Sequence, residues 1–426
     1  MKRLYSSIIL TLTLPSMLNA QQLPNAGFDN DWVNYYPWST AYNSDKGPWE
    51  GTNKQGASPK PWCVSNVYAG TGFLAAGNKN DLGTAIDGGY NSSAKAVKLK
   101  NSTELMKQVI PAYISLGTTW STSYLKTLSP NGKDGGTFGG INFTNRPDAI
   151  TFAYKKNAPN EKSAVIAYIW KGTFRQKDVP ANIASDQKSL RTCEMVNRDR
   201  NILDITTEQG GEITEKGTLI AKINTFIEQD IAEWTKFACD FEYVGNESPE
   251  MINVIIAAGD YLSANPKAES ELIIDDVRLI YYSRLASLKV NGVSVDGFDS
   301  DKYEYTVDAE MPENSNAFVA ECMGNSGSST ARIDLDKNNA KATITVTNAN
   351  QGDGAVDEDG NASHVYTVQF NKTPDTPTGI DSIETDDSDT PAEYYNLQGT
   401  RVSRNSLVPG IYIRRQGTKT SKVVIQ

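Results

Sequence analysis

The chain has 426 residues, and its 41 Lys and Arg against 51 Asp and Glu give a formal net charge of −10. The length suggests two or three domains, and the acidic balance argues against a nucleic-acid binder, which needs basic side chains to neutralise phosphates. A single histidine, His364, argues against a Ser-His-Asp triad, a histidine-based zinc site or a haem site.

Residues 1–20 have the features of a secretory signal peptide. Lys2 and Arg3 precede an apolar run from Ile8 to Leu14 that is too short to span a bilayer, and Ala20 is the expected cleavage position. We therefore expect an exported protein that is secreted, periplasmic or displayed at the cell surface. No later run is long enough to predict a membrane-spanning segment.

Residues 32–68 combine eight Trp and Tyr residues with a Gly-, Pro- and polar-rich stretch. The apolar faces of sugars stack on such rings, while amides and carboxylates bind sugar hydroxyls. The expected ligand-binding residues are Trp38, Trp49, Tyr36 and Asn53. The alternative is that the rings fill the core beneath loops, as we expect for Trp170 and Trp234 in their apolar strands.

Residues 21–283 form the first predicted domain, an all-β sandwich. Alternating or β-branched runs such as Ser163–Trp170 and Met251–Ala258 are separated by Asn- and Pro-rich turns. The segment Asn101–Ile110 is expected to form a short helix, with Asn101 or Ser102 as its N-cap. The four cysteines allow three pairings, which stay open, and Cys239 is either a buried free thiol or bridged to Cys193.

A set of carboxylates and a short run of alternating charge are the remaining candidates for a functional site. A glycoside-active enzyme needs two carboxylates about 5–10 Å apart, but the spacing of the candidates selects no pair; they are Glu228, Asp230, Glu233, Asp240 and Glu242. The run Arg198-Asp199-Arg200 could bind an acidic sugar, but we favour ion pairs that fix a long loop.

The remaining chain divides into three segments. Residues 284–372 contain short strand patterns typical of an immunoglobulin-like sandwich, with a hairpin turn at Asn291-Gly292. Residues 373–393 are an acidic, Pro-rich linker. Residues 394–426 are a basic tail with three predicted strands, too small for an ordinary core of its own.

Several motifs resemble known families. The opening Asn25-Ala26-Gly27-Phe28-Asp29 and the later Asp275-Asp276-Val277 resemble jelly-roll carbohydrate-binding modules. Residues 25–283 resemble the Bacteroidetes family named "putative carbohydrate metabolism domain", through the following motifs: Phe138–Phe143, Val196–Leu203, Ile231–Trp234 and Ser248–Met251. This resemblance implies a jelly-roll sandwich and a role in glycan handling, without catalytic residues to carry over.

The C-terminal segments have resemblances of their own. Residues 285–371 resemble the cadherin-like sandwich repeat of bacterial surface proteins, through Leu285–Gly292 and Tyr303–Val307. The tail, with Tyr394–Val402 and Pro409–Ile413, resembles C-terminal segments of exported Bacteroidetes proteins, including type IX sorting domains. These resemblances imply a spacer and an attachment of the protein to the cell surface.

The jelly-roll resemblance also implies a structural Ca²⁺ between the opening motif and the late strand. Hard cations prefer several oxygen ligands, and the expected ones are the Gly27 carbonyl, Asp29 and either Asp275 or Asp276. Successive residues of a strand face opposite sides, so only one of the last two carboxylates can reach a given site.

The sequence therefore predicts a non-catalytic glycan-binding protein. The alternatives are the glycoside-active enzyme and a structural adhesin or spacer with a protein partner.

Overall fold

The protein is described here from a computed structural model, which covers residues 22–34, 57–66, 68–71, 76–79, 81–103, 109–123, 133–177, 195–205, 212–263, 265–349, 355–372, 391–417 and 419–425. Nearly all regular elements in these ranges are β-strands, so the predicted all-β fold class is confirmed. Within the same ranges no helix has the length and apolar character needed to cross a membrane.

The first domain contains 23 of the described strands and one short helix. The elements are β1 (Trp32–Asn34), β2 (Ala57–Pro59), β3 (Cys63–Val64), β4 (Tyr68–Thr71), β5 (Ala76–Lys79), β6 (Gly83–Asp87), β7 (Lys95–Lys100), β8 (Ser102–Thr103), β9 (Val109–Ile110), β10 (Tyr113–Ser115), β11 (Thr118–Ser123), β12 (Lys133–Phe138), β13 (Ile141–Asn142), β14 (Ala149–Asn157), β15 (Ser163–Lys171), β16 (Arg175–Lys177), β17 (Met195–Val196), α1 (Asp199–Ile202), β18 (Glu212–Glu215), β19 (Thr218–Ile227), β20 (Ile231–Asp240), β21 (Glu242–Tyr243), β22 (Met251–Ala257) and β23 (Glu271–Ile280).

Two antiparallel sheets form a jelly roll. Sheet I has the order β21-β19-β15-β22-β10-β3, with β13 also paired to β22, and sheet II has the order β20-β14-β23-β7-β6. The inner strands, β10-β22-β15-β19 and β7-β23-β14-β20, have the two interleaved four-strand orders that define a jelly roll. The predicted sandwich of the first domain is therefore present.

The core lies between the two sheets because alternate residues of each strand face inward. Ile150 and Phe152 of β14 contact the same apolar cluster as Val165 and Ile169 of β15. Strand β15 is also buried on its outer face, where Trp170 lies in a second apolar cluster beneath α1. The outer face of sheet I is thus covered by further chain.

The expected helix at Asn101–Ile110 is wrong at both of its ends. Strands β8 and β9 pair antiparallel there, with Ser102 opposite Ile110 and Thr103 opposite Val109. The β-branched residues at these positions favour an extended backbone, and this local preference outweighs the capping signal of Asn101. Asn101 instead accepts the backbone N–H of Ala112 at 2.8 Å.

The second module is a smaller sandwich. Its strands are β24 (Leu285–Val290), β25 (Val293–Ser294), β26 (Glu304–Glu310), β27 (Phe318–Cys322), β28 (Ser329–Asp336), β29 (Lys341–Asn348) and β30 (Ser363–Lys372). They form the sheets β25-β24-β27 and β26-β30-β29-β28 around one apolar core. Asn291 and Gly292 both have positive φ, 51° and 79°, as a tight hairpin turn between β24 and β25 requires.

The basic tail forms a four-stranded sheet rather than the three predicted strands. Its strands are β31 (Glu393–Tyr395), β32 (Arg401–Val402), β33 (Gly410–Gln416) and β34 (Lys419–Ile425), in the order β32-β31-β33-β34. Tyr412 is buried, and its hydroxyl donates to the Val408 carbonyl at 3.1 Å.

Polar contacts join the first domain to the second module. Asp148 accepts the backbone N–H groups of Tyr282 at 2.8 Å and of Ser326 at 3.1 Å. Burial raises the pKa of Asp148 to about 6, despite these hydrogen bonds. Arg146 Nε donates to the Ser326 carbonyl at 2.8 Å, so several bonds hold the 324–328 turn against the jelly roll.

Arg284 is the centre of an ion cluster at this junction. Its side chain is 9% exposed and contacts Asp301 at 2.9 Å, Glu358 at 3.0 Å and Asp359. The fully buried Asp357 carboxylate lies 3.6 Å from Arg284 Nε. The guanidinium therefore offsets several acids, one of which has no access to water.

His364 lies in the same junction and is buried. Its Nδ1 is 3.0 Å from Ser283 Oγ and its Nε2 is 3.5 Å from Asp357 Oδ2. Because all three side chains are at most 9% exposed, the contacts pack the junction and give no substrate access.

Replacing Arg284 with Met should destabilise the chain by about 3–5 kcal/mol, because Asp357 would become an uncompensated buried charge. Urea unfolding of the two chains measures the difference. The matched control is Arg332→Met, which breaks an exposed pair with Asp334 and should change stability by less than about 1 kcal/mol. Equal effects of the two substitutions would contradict the junction described above.

Candidate functional site

The outer face of sheet II carries the candidate site. On β20, Phe237 and Cys239 pack against the core, so Trp234 and Lys236 face outward by alternation. On β14, Lys155 alternates with the inward Tyr154 and faces outward as well. The residues that the structure describes cover only part of this face, whereas they bury both faces of the central strands β15 and β22 of sheet I.

A hairpin tip lies over the face. The tip, Gly88–Ala94, joins β6 to β7 and is closed by bonds from Gly88 N to the Ala94 carbonyl, 2.9 Å, and from Gly89 N to the Ser93 carbonyl, 2.8 Å. The backbone N–H of Tyr90 donates to Asp275 Oδ2 of β23 at 2.7 Å. This contact joins residues 185 positions apart in the chain.

Asp275 is the buried anchor beneath the tip. Its residue is 0% exposed, and its Oδ1 accepts the Asp276 N–H at 2.7 Å. Burial raises the pKa of Asp275 to about 6, while the bonds from Tyr90, Asp276 and Ser93 act in the opposite direction. A nearby positive charge or hydrogen-bond donor would stabilise the ionised form of this buried carboxylate.

Asp29 reaches the same place from the N-terminal loop. Its Oδ1 accepts the Ser93 hydroxyl at 2.9 Å and the Lys95 N–H at 2.8 Å. The loop is held by the Phe28 ring, which is fully buried and lies 5.4 Å from Trp62, and by the bond from Val277 N to the Ala26 carbonyl, 3.0 Å. The opening motif therefore lies against the late strand.

Gly89 allows the tip to approach Asp275. A Cβ at this position would lie 2.2 Å from Asp275 Oδ2 and 2.5 Å from the Lys95 carbonyl oxygen. The Lys95 oxygen belongs to the backbone, and the Asp275 carboxylate is held by two hydrogen bonds. A side chain at position 89 would therefore displace the tip.

The oxygen atoms around the tip are carboxylate, hydroxyl and carbonyl oxygens, which are the kinds of ligand that a hard cation prefers. The carboxylates of Asp29 and Asp275 both interact with Ser93, whose hydroxyl also donates to the Lys95 carbonyl at 3.0 Å. Across the part of the chain that the structure describes, no cluster of three or more His, Cys, Asp or Glu side chains is arranged for a metal. Neutral oxygens would therefore complete the ligand set.

Gly27 and Asp276 differ in their relation to these oxygens. A Cβ on Gly27 would lie 3.8 Å from Asp29 Oδ2, so Gly27 borders the cluster. Asp276 lies at a bulge of β23 with φ 54° and contacts Arg278 Nε at 2.7 Å. Of the two neighbouring carboxylates, Asp275 is the one that meets the tip.

Two aromatic rings meet beside this anchor. The Tyr90 and Trp234 ring centroids are 6.1 Å apart at an interplanar angle of 64°, and both side chains are half-buried. Lys155 Nζ lies 5.0 Å from the Trp234 ring centroid. The tip thus presents an aromatic corner with an adjacent cation at the surface of sheet II.

The position of Trp234 corrects the expectation that it lies in the core. Trp234 belongs to none of the three apolar clusters, whereas Trp170 is fully buried as expected. The alternation that points Phe237 and Cys239 inward already places the even-numbered Trp234 outward, so the sequence contained the signal. Tyr90 and Lys155 had no such signal, because only the fold brings them to Trp234.

The expected sugar-binding residues Trp38, Trp49, Tyr36 and Asn53 lie outside the described residues. Their roles stay predictions.

The five candidate carboxylates of the enzyme alternative lie on and around β20. Four have separate partners: Glu228 pairs with Lys162, Asp230 with Lys156 at 2.7 Å, Glu242 with Lys222 at 3.5 Å, and Asp240 accepts the Tyr282 hydroxyl at 2.8 Å. Hydrogen bonding from Lys162 lowers the pKa of Glu228, which is opposite to the shift that a general acid needs. Glu233 is exposed.

The Arg198-Asp199-Arg200 run lies on the other side of the domain. Arg198 and Asp199 are each 1% exposed, and Asp199 Oδ2 accepts the Tyr261 hydroxyl at 2.6 Å. Burial raises the pKa of Asp199. Tyr261 and Asp199 thus join α1 to the chain that covers sheet I.

Among the residues that the structure describes, Cys239 and Cys322 are free thiols. Cys239 packs against the core, and desolvation raises its pKa, so this thiol is a packing residue.

Comparisons with known proteins leave the family open. No family model matches the chain, and no curated protein matches it either. Among solved structures, the chain is similar to "a putative glycoside hydrolase" from Bacteroides thetaiotaomicron, with 15% identity and a TM-score of 0.33, over 52% of this chain and 63% of that one.

Two further structures show similarities of the same low order. One is "a putative glycoside hydrolase" from Bacteroides vulgatus, with 16% identity and a TM-score of 0.31, over 46% of this chain and 76% of that one. The other is an arabinose-bound α-L-arabinofuranosidase, with 8% identity and a TM-score of 0.26, over 61% of this chain and 26% of that one. These scores are too low to support an inference about fold or function.

Replacing Gly89 with Ala should displace the hairpin tip and lower the free energy of unfolding by about 1–3 kcal/mol, as overpacking does. The matched control is Gly27→Ala in the same site, where the nearest atom to a new Cβ is 3.8 Å away. Urea unfolding should show a loss for Gly89→Ala and little change for Gly27→Ala. A fully stable Gly89→Ala chain would contradict the close contact between the tip and Asp275.

Proposed function

We propose that this protein is an exported, non-catalytic glycan-binding protein whose sugar platform is the Tyr90–Trp234 corner on sheet II. The observation that carries the proposal is the pair of half-buried rings held at the surface by the Asp275 anchor. The second module acts as a spacer, and the C-terminal sheet attaches the protein to the cell surface.

The backbone positions of the two rings are set before a sugar binds. A pyranose ring stacks its C–H face on an aromatic ring, and the gain is greatest when the ring is already fixed. The backbone of Trp234 belongs to strand β20, and the backbone of Tyr90 is held by its bond to Asp275. Polar groups next to the rings can bind hydroxyls at the edge of the sugar.

We propose that a structural Ca²⁺ stabilises the anchor. Asp29 and Asp275 would supply carboxylate oxygens, and the carbonyl groups of Gly27 and Lys95 are candidates for neutral ligands. The cation would offset the desolvation of Asp275 and hold the N-terminal loop against the tip. Its role here is structural and involves no reaction step.

The proposal is tested by a glycan-array screen of the mature full-length chain beside its Trp234→Ala and Tyr90→Ala variants. Loss of a central stacking ring should weaken binding by at least about tenfold, which corresponds to about 1.4 kcal/mol. Trp38→Ala and Trp49→Ala in the same screen test the aromatic segment of the N-terminal region. Thermal unfolding checks that each variant is folded.

Two outcomes would count against this function. A folded chain that binds no glycan would remove the glycan-binding proposal and favour an adhesin or spacer. Binding that is lost in Trp38→Ala or Trp49→Ala but unchanged in Trp234→Ala would move the platform away from sheet II.

The Ca²⁺ proposal predicts that Ca²⁺ at about 100 times its Kd stabilises the chain by about 2.7 kcal/mol relative to EDTA. Asp29→Asn should abolish this increment, whereas Asp276→Asn should retain it, because Asp276 contacts Arg278 instead. Thermal unfolding in EDTA, Ca²⁺ and Mg²⁺ measures the effect. Equal unfolding of the original chain in EDTA and Ca²⁺ would contradict the proposal.

A further inference from the structure

The charges on the outer face of sheet II are unevenly distributed. Away from Trp234 the cations have partners, because Lys98 contacts Glu271 at 2.8 Å and Lys100 contacts Glu269 at 2.6 Å. Arg278 contacts Asp276 at 2.7 Å. This part of the face is therefore close to neutral.

The two lysines next to Trp234 differ from these cations. Lys155 lies over the Trp234 ring and Lys236 is exposed two residues further along β20. Neither makes an ion pair within 4.0 Å among the residues that the structure describes. Unpaired positive charge is thus concentrated at the aromatic corner.

Apart from the basic tail, the rest of the molecule has an excess of acidic residues. With a formal net charge of −10, the protein repels polyanions over most of its surface, so a local basic site determines where an anion can bind. Asp275, the nearest acid of β23, is covered by the tip and has both oxygens engaged by N–H donors. It does not present a free carboxylate to a ligand at the corner.

We infer that the Tyr90–Trp234 corner binds an anionic sugar, with its ring on Trp234 and its carboxylate or sulfate group between Lys155 and Lys236. The inference rests on the proposed glycan-binding function and names its ligand class. Stacking on the aromatic ring stabilises acidic and neutral sugars alike. The two ammonium groups select the acidic sugar over its neutral counterpart.

The test compares polysaccharides that differ only in charge. Polygalacturonate and its fully methyl-esterified form share one backbone, and a sulfated glycan with its desulfated form distinguishes sulfate from carboxylate. Binding of each to the full-length mature chain is measured at low and physiological salt. We expect at least tenfold tighter binding of one acidic member than of its neutral partner, with a decrease as salt rises.

Variants assign this preference to the two lysines. Lys155→Met and Lys236→Met should each reduce binding of the acidic glycan about tenfold and leave the neutral one within twofold. The matched control is Lys100→Met, which removes a cation of the same face that already has a partner and should change neither. Since Lys236 is exposed, its variant keeps the test valid if Lys155→Met fails to fold.

Three results would overturn the inference in distinguishable ways. Equal binding of acidic and neutral members, lost together in Trp234→Ala, would remove the acidic preference but leave the glycan-binding function. Acidic binding that depends on the lysines but not on Trp234 would indicate unspecific attraction of polyanions. A folded chain that binds none of the glycans would remove both proposals.

Discussion

The hydrogen bond between the buried Asp275 carboxylate and the Tyr90 backbone is the constraint on which the candidate site depends. It holds a hairpin tip from one edge of sheet II over the central strands of the sheet. The approach is possible because Gly89 has no side chain. The same tip is tied to the N-terminal loop through Asp29, so three distant parts of the chain determine where one aromatic ring lies.

The two faces of the jelly roll have consequently different uses. The central strands β15 and β22 of sheet I are buried on both sides, because a second layer with α1 covers Trp170 and Tyr168. The described residues cover only part of the outer side of sheet II, which presents Trp234 with charged neighbours. A rigid sheet that is open on one side is a suitable support for a binding surface, since its residues lose little entropy on binding.

The sequence predicts the architecture well where local patterns decide it. Alternation identifies the strands of the jelly roll, and Asn291-Gly292 marks a turn that needs two positive φ angles. The helix expected near Asn101 is wrong at its ends because the β-branched residues Thr103, Val109 and Ile110 lie in two paired strands. A capping residue alone therefore does not establish a helix.

The candidate site is only partly predictable from sequence. The opening motif and the late strand both contact the hairpin between β6 and β7, through Asp29 and Asp275. Trp234 could have been placed outward by the alternation of β20, but its partner Tyr90 could not. That contact spans two strands of the sheet and depends on the folded path of the hairpin.

The most direct test is an NMR titration in which an oligosaccharide is added and the tryptophan indole N–H signals are followed. Trp→Phe substitutions assign these signals. The account predicts a saturable shift of the Trp234 signal, while the buried Trp62 and Trp170 signals stay unchanged. Saturable binding that leaves Trp234 unmoved and shifts Trp38 or Trp49 instead would contradict it.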